Sequence, residues 1–394
     1  MRMQTPQQRY TRALTRRAAL KSTAAAAAAL AAGALVPRAA RADDDGPGIG
    51  PTGGGRVNVM YDEMLSYNEL YGNPPLLGRV ESWSQRIVTE PNAGEQGIVR
   101  YADYSDVLPI YGAVHAVPRY GFPHNDVWFN VGEGYIHSSW VVPCREVYNP
   151  VEEIPSDGFF WGEISVPTSW QHWQPGLRTA RYYDMAYGAV YKVIDKTQDE
   201  DGIWWYRIIN DLARDDPWWV QAVHVRRIPR REFLPISQNV PHDQKYIIVN
   251  LSNYVLTCYE GERPVFSTRV STGATFFGEE GEPLEFSTPI GRHWVVGKTA
   301  SRHMVGGEAA NDEYDLPGVP WCTYITGNGV AIHGTYWHND YGTRRSHGCI
   351  NVTSDAAKWI YRWVTPFTGY DYNRFWIGRE NWDIATRVAV DYFD

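Results

Sequence analysis

Apolar and polar positions alternate over residues 246–250 and 254–259, which Leu251-Ser252-Asn253 joins, and the pattern resumes over 264–271 after Gly261. A repeat of two puts successive side chains on opposite faces, so these runs predict half-buried strands linked as hairpins. Cys258 falls on one of them as a small packed residue. Upstream, short aromatic and β-branched runs broken by Gly, Asp and Pro occur twice. Arg100-Tyr101-Ala102-Asp103 returns as Arg181-Tyr182-Tyr183-Asp184, and Val127-Trp128-Phe129-Asn130-Val131 returns as Trp204-Trp205-Tyr206-Arg207-Ile208. Gly134-Tyr135-Ile136-His137 is answered by Trp218-Trp219-Val220-Gln221, and Val141-Val142 by Val225. Such a duplication predicts two small barrels. A helical period follows Thr353 and Ser354, either of which can cap a helix from Asp355 with Ala356, Trp359, Ile360 and Trp363 on one face. Residues 386–390 read as a last strand. The fold class is therefore mainly β, two small barrels followed by a β-rich domain with a few helices.

Two segments lack this periodicity. Residues 276–286 and 306–320 are rich in Gly, Glu and Pro and read as loops long enough to be lids over a bound peptide. Aromatic residues make up 14% of the chain, with 17 Trp, and core packing accounts for most of them because half the positions of a small barrel face inward. The alternative is a face whose exposed rings stack on sugars. In each of Trp204-Trp205 and Trp218-Trp219 one ring should be exposed or at a domain interface, since strand neighbours point to opposite sides.

The amino-terminal 42 residues change the charge of the rest. Arg2, Arg9, Arg12, Arg16, Arg17 and Lys21 precede the apolar stretch 24–36, and Ala40-Arg41-Ala42 follows it. A basic start, a short apolar run and small residues at a cut site make a signal peptide, with Arg16-Arg17 pointing to twin-arginine export and cleavage after Ala42. The run is too short for a membrane span of about 20 residues, so no stable span is expected after processing. With Arg38 and Arg41 the segment carries eight positive charges and no acid, so its loss moves the formal charge from −8 to about −16. That excludes nucleic acid as a partner. Arg226, Arg227, Arg230 and Arg231 form a local basic run, read as an exposed interdomain linker. Four cysteines, Cys144, Cys258, Cys322 and Cys349, imply no disulfide framework in an exported, extracytoplasmic protein.

Chemistry concentrates in residues 331–352. His333 stands sixteen residues before Cys349, which closes the turn Ser346-His347-Gly348-Cys349. A thiol becomes a nucleophile when a nearby imidazole takes its proton, and His333, at the end of the apolar Val330-Ala331-Ile332 run, is placed to be that base. Gly348 lets a carbonyl oxygen approach backbone N–H groups around Cys349, an expected oxyanion hole. His347 contributes packing and its N–H, or transfers a proton itself. Ser346 either orients His347 or shapes the turn.

This run resembles the active-site motif of the L,D-transpeptidases, the YkuD-like family, which reads His-Gly, a spacer, then Ser/Thr-His-Gly-Cys-apolar-Asn/Arg. Thr288-Pro289-Ile290-Gly291 is similar to the family's Thr-Pro-x-Gly segment, and Val319-Pro320-Trp321 to the stretch leading into the histidine strand; together the likeness covers residues 245–364, about a third of the chain. The resemblance implies that Cys349 attacks a peptidoglycan stem carbonyl, that His333 is the base and that the Gly334 carbonyl orients its ring. It implies no cofactor and no metal, stem peptides as donor and acceptor, and carbapenem-type inhibitors. Trp321, Tyr324, Tyr336, Arg344, Arg345 and Asn351 are the expected substrate-binding residues, the two arginines being placed to pair with a stem carboxylate or to remain solvated. The upstream barrels resemble bacterial SH3-like modules.

The expected organisation is a signal peptide over 1–42, a linker with a short helical segment over 43–78, SH3-like modules over 79–150 and 151–235, the catalytic domain over 236–368 and a C-terminal extension over 369–394. Competing functions remain at this point. A cysteine endopeptidase of the NlpC/P60 type has its cysteine before its histidine, the reverse of the order here. A serine penicillin-binding enzyme needs a lysine three residues after a serine, which occurs nowhere in the chain. A zinc site from His333, His338, His347 and Cys349 lacks a His-Glu pair or a Cys-x-x-Cys. An L,D-carboxypeptidase, in which water replaces the acceptor amine, and a wall-binding protein with a vestigial motif share the same sequence signals.

Overall fold

The alternating runs are strands. A computed structural model describes residues 76–117, 123–278, 281–307, 313–372 and 374–393, all within one compact unit. The expected signal peptide lies outside the described residues, as does nearly all of the expected linker. The first repeat forms β1 (Leu76–Val80), β2 (Gln85–Val88), β3 (Ile98–Ala102), β4 (Val107–Ile110), β5 (Gly112–His115), β6 (Val127–Asn130), β7 (Tyr135–His137) and β8 (Val141–Cys144). The second forms β9 (Phe160–Ile164), β10 (Thr168–His172), β11 (Arg181–Ala186), β12 (Val190–Gln198), β13 (Trp204–Asn210), β14 (Ala213–Gln221) and β15 (Val225–Arg227).

Strand order shows the duplication directly. The second repeat is one sheet, β11-β10-β14-β13-β12-β9-β15, and the first is two, β3-β2-β7-β6-β5 and β4-β1-β8. The orders coincide once β4 and β5 are taken as one strand interrupted at Tyr111, the counterpart of the unbroken β12. In both, a single 3-10 turn, Ser138–Trp140 or Ala222–His224, precedes the last strand. Val80, Ile87, Ile110, Phe129, Ile136 and Val141 fill the first core. Trp205 and Trp218 are fully buried while Trp204 and Trp219 are half-buried, as opposite-facing neighbours require. The basic run is tied into ion pairs: Arg226 with Glu163 and Glu232, Arg227 with Glu152, and Arg230 with Asp157 and Asp371.

The third region contains β16 (Lys245–Asn250), β17 (Val255–Glu260), β18 (Arg263–Arg269), β19 (Thr272–Gly273), β20 (Thr275–Phe277), β21 (Pro283–Glu285), β22 (Gly291–Trp294), β23 (Gly297–Gly306), β24 (Tyr314–Tyr324), β25 (Ala331–Thr335), β26 (Arg344–Ser346), β27 (Ile350–Thr353), helix α1 (Ser354–Trp363), β28 (Phe375–Trp376) and β29 (Arg387–Asp391). Its two main sheets run β18-β17-β16-β29-β22 and β27-β25-β24-β23-β28. Two expectations are corrected here. Residues 369–394 are not an appendage, because β29 lies between β16 and β22 inside the first sheet and β28 edges the second. The expected lids are largely hairpins: β20 pairs with β21, and β23 with β24 through Met304↔Leu316 and Gly306↔Tyr314. Gly and Pro concealed their alternation.

Helix α1 braces the second sheet. Thr353 caps it by accepting a hydrogen bond from Ala356 N, and Ala356, Ala357, Ile360, Tyr361 and Trp363 bury its inner face. At its other end two buried lysines meet carbonyls that the helix cannot satisfy: Lys245 Nζ donates to Trp363 O at 3.1 Å, and Lys298 Nζ to Val364 O at 3.3 Å. Burial, with Lys245 nearby, pulls the Lys298 ammonium down to about 7. Among the described residues no helix is long and apolar enough to cross a membrane.

Candidate active site

Strands β25 and β27 run side by side in parallel, with Ile332 opposite Ile350, His333 opposite Asn351 and Gly334 opposite Val352. One step back along that register places Cys349 beside Ala331. Because side chains two residues apart share a face, Cys349 and His333 stand diagonally on one face of neighbouring strands. The backbone of Ala331 lies in hydrogen-bonding reach of the sulfur, and Sγ sits 3.9 Å from Gly329 O. Gly334 must be glycine for packing: a Cβ there would meet Ser354 Cα, the first residue of α1, at 2.8 Å.

His333 is buried, and its Nδ1 lies 3.0 Å from Gly334 O. A carbonyl only accepts, so Nδ1 carries the proton and Nε2 holds the lone pair. Burial pushes the imidazolium down to about 4 despite that hydrogen bond. Burial of the sulfur pushes the Cys349 thiol up to about 11, which the Ala331 backbone only partly offsets. At neutral pH the pair therefore rests as thiol and neutral imidazole.

The turn before Cys349 is built from within. Gly348 takes φ +107°, a region that favours glycine. Ser346 Oγ accepts from Gly348 N at 3.2 Å and donates to Cys349 O at 2.5 Å. Ser346 thus shapes the turn rather than orienting His347, and in this state it occupies the Gly348 N–H expected for the oxyanion. Thr288 holds the same turn from outside, donating to Gly348 O at 3.0 Å while accepting from Gly273 N at 2.8 Å. The His347 ring stacks on Phe276 at 4.2 Å, with Phe286 and Tyr314 each 4.6 Å away, so both hairpins close on it.

Of the expected substrate-binding residues, few face the site. Trp321 is fully buried between Phe233 and Tyr361, a core residue with no face for a ligand. Tyr324 is buried and stacks on Trp376 at 4.8 Å. Tyr336 is buried with its hydroxyl on Pro317 O at 2.6 Å. Arg345 is taken by Asp340 and by the Trp140 ring. Asn351 is buried against His338 at 3.1 Å. Arg344 remains exposed at the rim, donating to Gly273 O at 2.6 Å and Ser287 Oγ at 2.9 Å. Sequence reasoning missed Trp337, which is half-buried, lies 5.8 Å ring to ring from His333 and packs, as Cys349 does, on the cluster of Val296, Val319, Cys322, Tyr324 and Ala331. Its place four residues after His333 was the available signal. It also missed Phe276 and Tyr314, whose positions depend on hairpin pairing.

Residues 244–385 match the YkuD family, described as the L,D-transpeptidase catalytic domain. No curated protein matches the chain. Among solved structures it is similar to an Enterococcus faecium L,D-transpeptidase, at 23% identity over 38% of this chain and 50% of that one, with a TM-score of 0.27. A Xylanimonas cellulosilytica L,D-transpeptidase is 23% identical over 37% of this chain and 60% of its own, TM-score 0.26. One from Mycobacterium smegmatis is 14% identical over 50% of this chain and 99% of its own, TM-score 0.29. The chain thus spans about half the length of the first of these. The matched segment identifies residues 244–385, which hold both His333 and Cys349, as a YkuD-type L,D-transpeptidase catalytic domain.

Proposed function

We propose that the chain forms cross-links between peptidoglycan stem peptides by cysteine acyl transfer. The observation that carries this reading is the fixed pair: Cys349 and His333 on one face of parallel strands, with Nδ1 pinned so that Nε2 is the free base. Sγ attacks the stem carbonyl next to the terminal D-alanine while its proton passes to Nε2. Collapse of the tetrahedral intermediate breaks the amide, and the departing D-alanine amine takes that proton, leaving a thioester. An acceptor side-chain amine then loses a proton to Nε2, attacks the thioester and restores the thiol. Phe276, Phe286 and Tyr314 pack on the His347 ring, and the apolar wall they add beside the turn would favour the amine over hydrolysis.

Incubation with purified tetrapeptide tests this. Release of D-alanine with a cross-linked dimer is expected, release with tripeptide alone makes the protein a carboxypeptidase, and no release overturns the substrate assignment. In the same reading residues 1–42 direct twin-arginine export and the two upstream repeats are SH3-like modules. N-terminal sequencing of the exported form should begin at Asp43, and an intact Met1 would contradict cleavage.

A further inference from the structure

The segment between β25 and β26, residues 336–343, contains no strand, yet His338, Asn339 and Asp340 are each at most 4% exposed. Asn339 and Asp340 are held by the first repeat. Asp340 Oδ1 accepts from Ser139 Oγ at 2.8 Å and faces His124 Nε2 at 2.7 Å, while Oδ2 faces Arg345 Nε at 3.1 Å. Asn339 N donates to Ser139 O at 2.9 Å, and its side chain to Ser138 O at 3.2 Å. Arg345, immediately before the Ser346 turn, lies 3.8 Å over the Trp140 ring. The one 3-10 turn Ser138–Trp140 thus grips both the middle and the far end of the segment that joins His333 to Cys349.

The grip continues to the reacting strands. Asp340 N donates to His338 Nδ1 at 3.1 Å, so that nitrogen is the acceptor and the proton sits on Nε2. Nε2 lies 3.1 Å from the Asn351 amide. A donor must face an oxygen, so the amide is assigned with Oδ1 toward His338. Asn351 is the register neighbour of His333 and stands two residues after Cys349. Ser271 flanks it from the other side, exchanging backbone hydrogen bonds with Asn351 at 2.8 and 3.0 Å.

We infer that Asp340 and Ser139 are positioning residues for the Cys349–His333 pair, and that the first repeat (residues 76–144) completes the active site by clamping the loop between them. Acyl transfer depends on near-ångström placement of nucleophile and base, and the Asp340 carboxylate joins Ser139, His124 and Arg345 at the centre of the loop, so its removal loosens that placement although the Asn339 contacts remain. The inference rests on the acyl-transfer reading only for its activity measurement.

The test uses the full chain and three variants, Asp340→Ala, Asp340→Asn and Ser139→Ala. Three quantities are followed: carbapenem acylation of Cys349 by intact mass, the pH profile of Cys349 alkylation by iodoacetamide, and hydrogen exchange. The other cysteines are buried, so alkylation reports Cys349. Asp340→Ala should slow acylation about a hundredfold, the cost of roughly 1 Å misplacement. Asp340→Asn, which keeps an acceptor for Ser139 but offers Arg345 no charge, should fall between it and the parent. Exchange should rise in residues 336–349 and not in β16 to β18, and the alkylation inflection should move down from near 11 toward the ordinary thiol range as water reaches the sulfur. A buried residue with a merely structural role would lower stability without moving that inflection. Acylation within about twofold of the parent, or unchanged exchange in 336–349, overturns the inference. If Asp340→Ala does not fold, Asp340→Asn and Ser139→Ala decide on the same criteria. If the parent itself is not acylated, the acyl-transfer reading falls, and the clamp stands or falls on exchange and alkylation.

Discussion

Cys349→Ser should abolish turnover while leaving the protein folded. In the proposed mechanism the base is weak, because burial holds the His333 imidazolium near 4. Even a thiol pushed up to about 11 gives its proton to such a base only as the S–C bond forms, and a serine hydroxyl is far less acidic. Loss of a nucleophile from a coupled pair costs on the order of 10⁴- to 10⁶-fold in rate. The fold should tolerate the exchange, since Cys349 is half-buried and oxygen is the smaller atom. His333→Gln should cost less, roughly 10²- to 10⁴-fold, the range for losing a general base. Acylation by stem peptide, measured in single-turnover experiments with circular dichroism as the folding control, distinguishes the two. Residual turnover above a trace in Cys349→Ser would remove Cys349 from the mechanism, and unaffected acylation in His333→Gln would move the base to His347.

The second large effect is on stability in acid. His333 and His338 are both held below the ordinary histidine value, His333 near 4 by burial and His338 near 3 by burial and by Arg345. In the unfolded chain each binds a proton below about 6.5. The folded chain refuses it until about 4 or about 3. Between those limits the unfolded state holds more protons, so stability is present above 6.5 and is lost as pH falls through the window. One unit is worth about 1.4 kcal/mol, so each histidine removes about 3 kcal/mol between pH 7 and 4. Glu81 acts with the opposite sign, since burial raises it to about 8 despite Arg79. A difference measurement removes its contribution. Urea unfolding of the parent and of His338→Gln at both pH values should show the variant losing about 3 kcal/mol less on acidification. Equal losses would mean that His338 is charged or solvated in the folded protein.

Much of the fold is legible because period-two alternation survives in β16, β17 and β18, and because two copies of one strand order leave matching aromatic strings. The pair Cys349 and His333 is legible for a different reason: a thiol in a Gly turn behind a His-Gly strand end has few structural explanations. Trp321 marks the limit. Residues 317–324 of β24 are all buried, with α1 and β12 of the second repeat packed against them, and in a strand with no solvent face alternation no longer tells core from cleft. Asp340 is beyond sequence reasoning altogether, because its meaning depends on Ser139, 201 positions away. The hairpins β20–β21 and β23–β24 were hidden by Gly and Pro at their ends, and with them the aromatic enclosure of His347.

Acid-quenched mass spectrometry of the full chain mixed with stem tetrapeptide tests the central claim most directly. A transient adduct with the mass of the tripeptidyl group, mapped to Cys349, cleaved by hydroxylamine and formed with one equivalent of D-alanine, is the expected result. Release of D-alanine with no adduct on Cys349, or with the adduct on another residue, would contradict acyl transfer through this thiol.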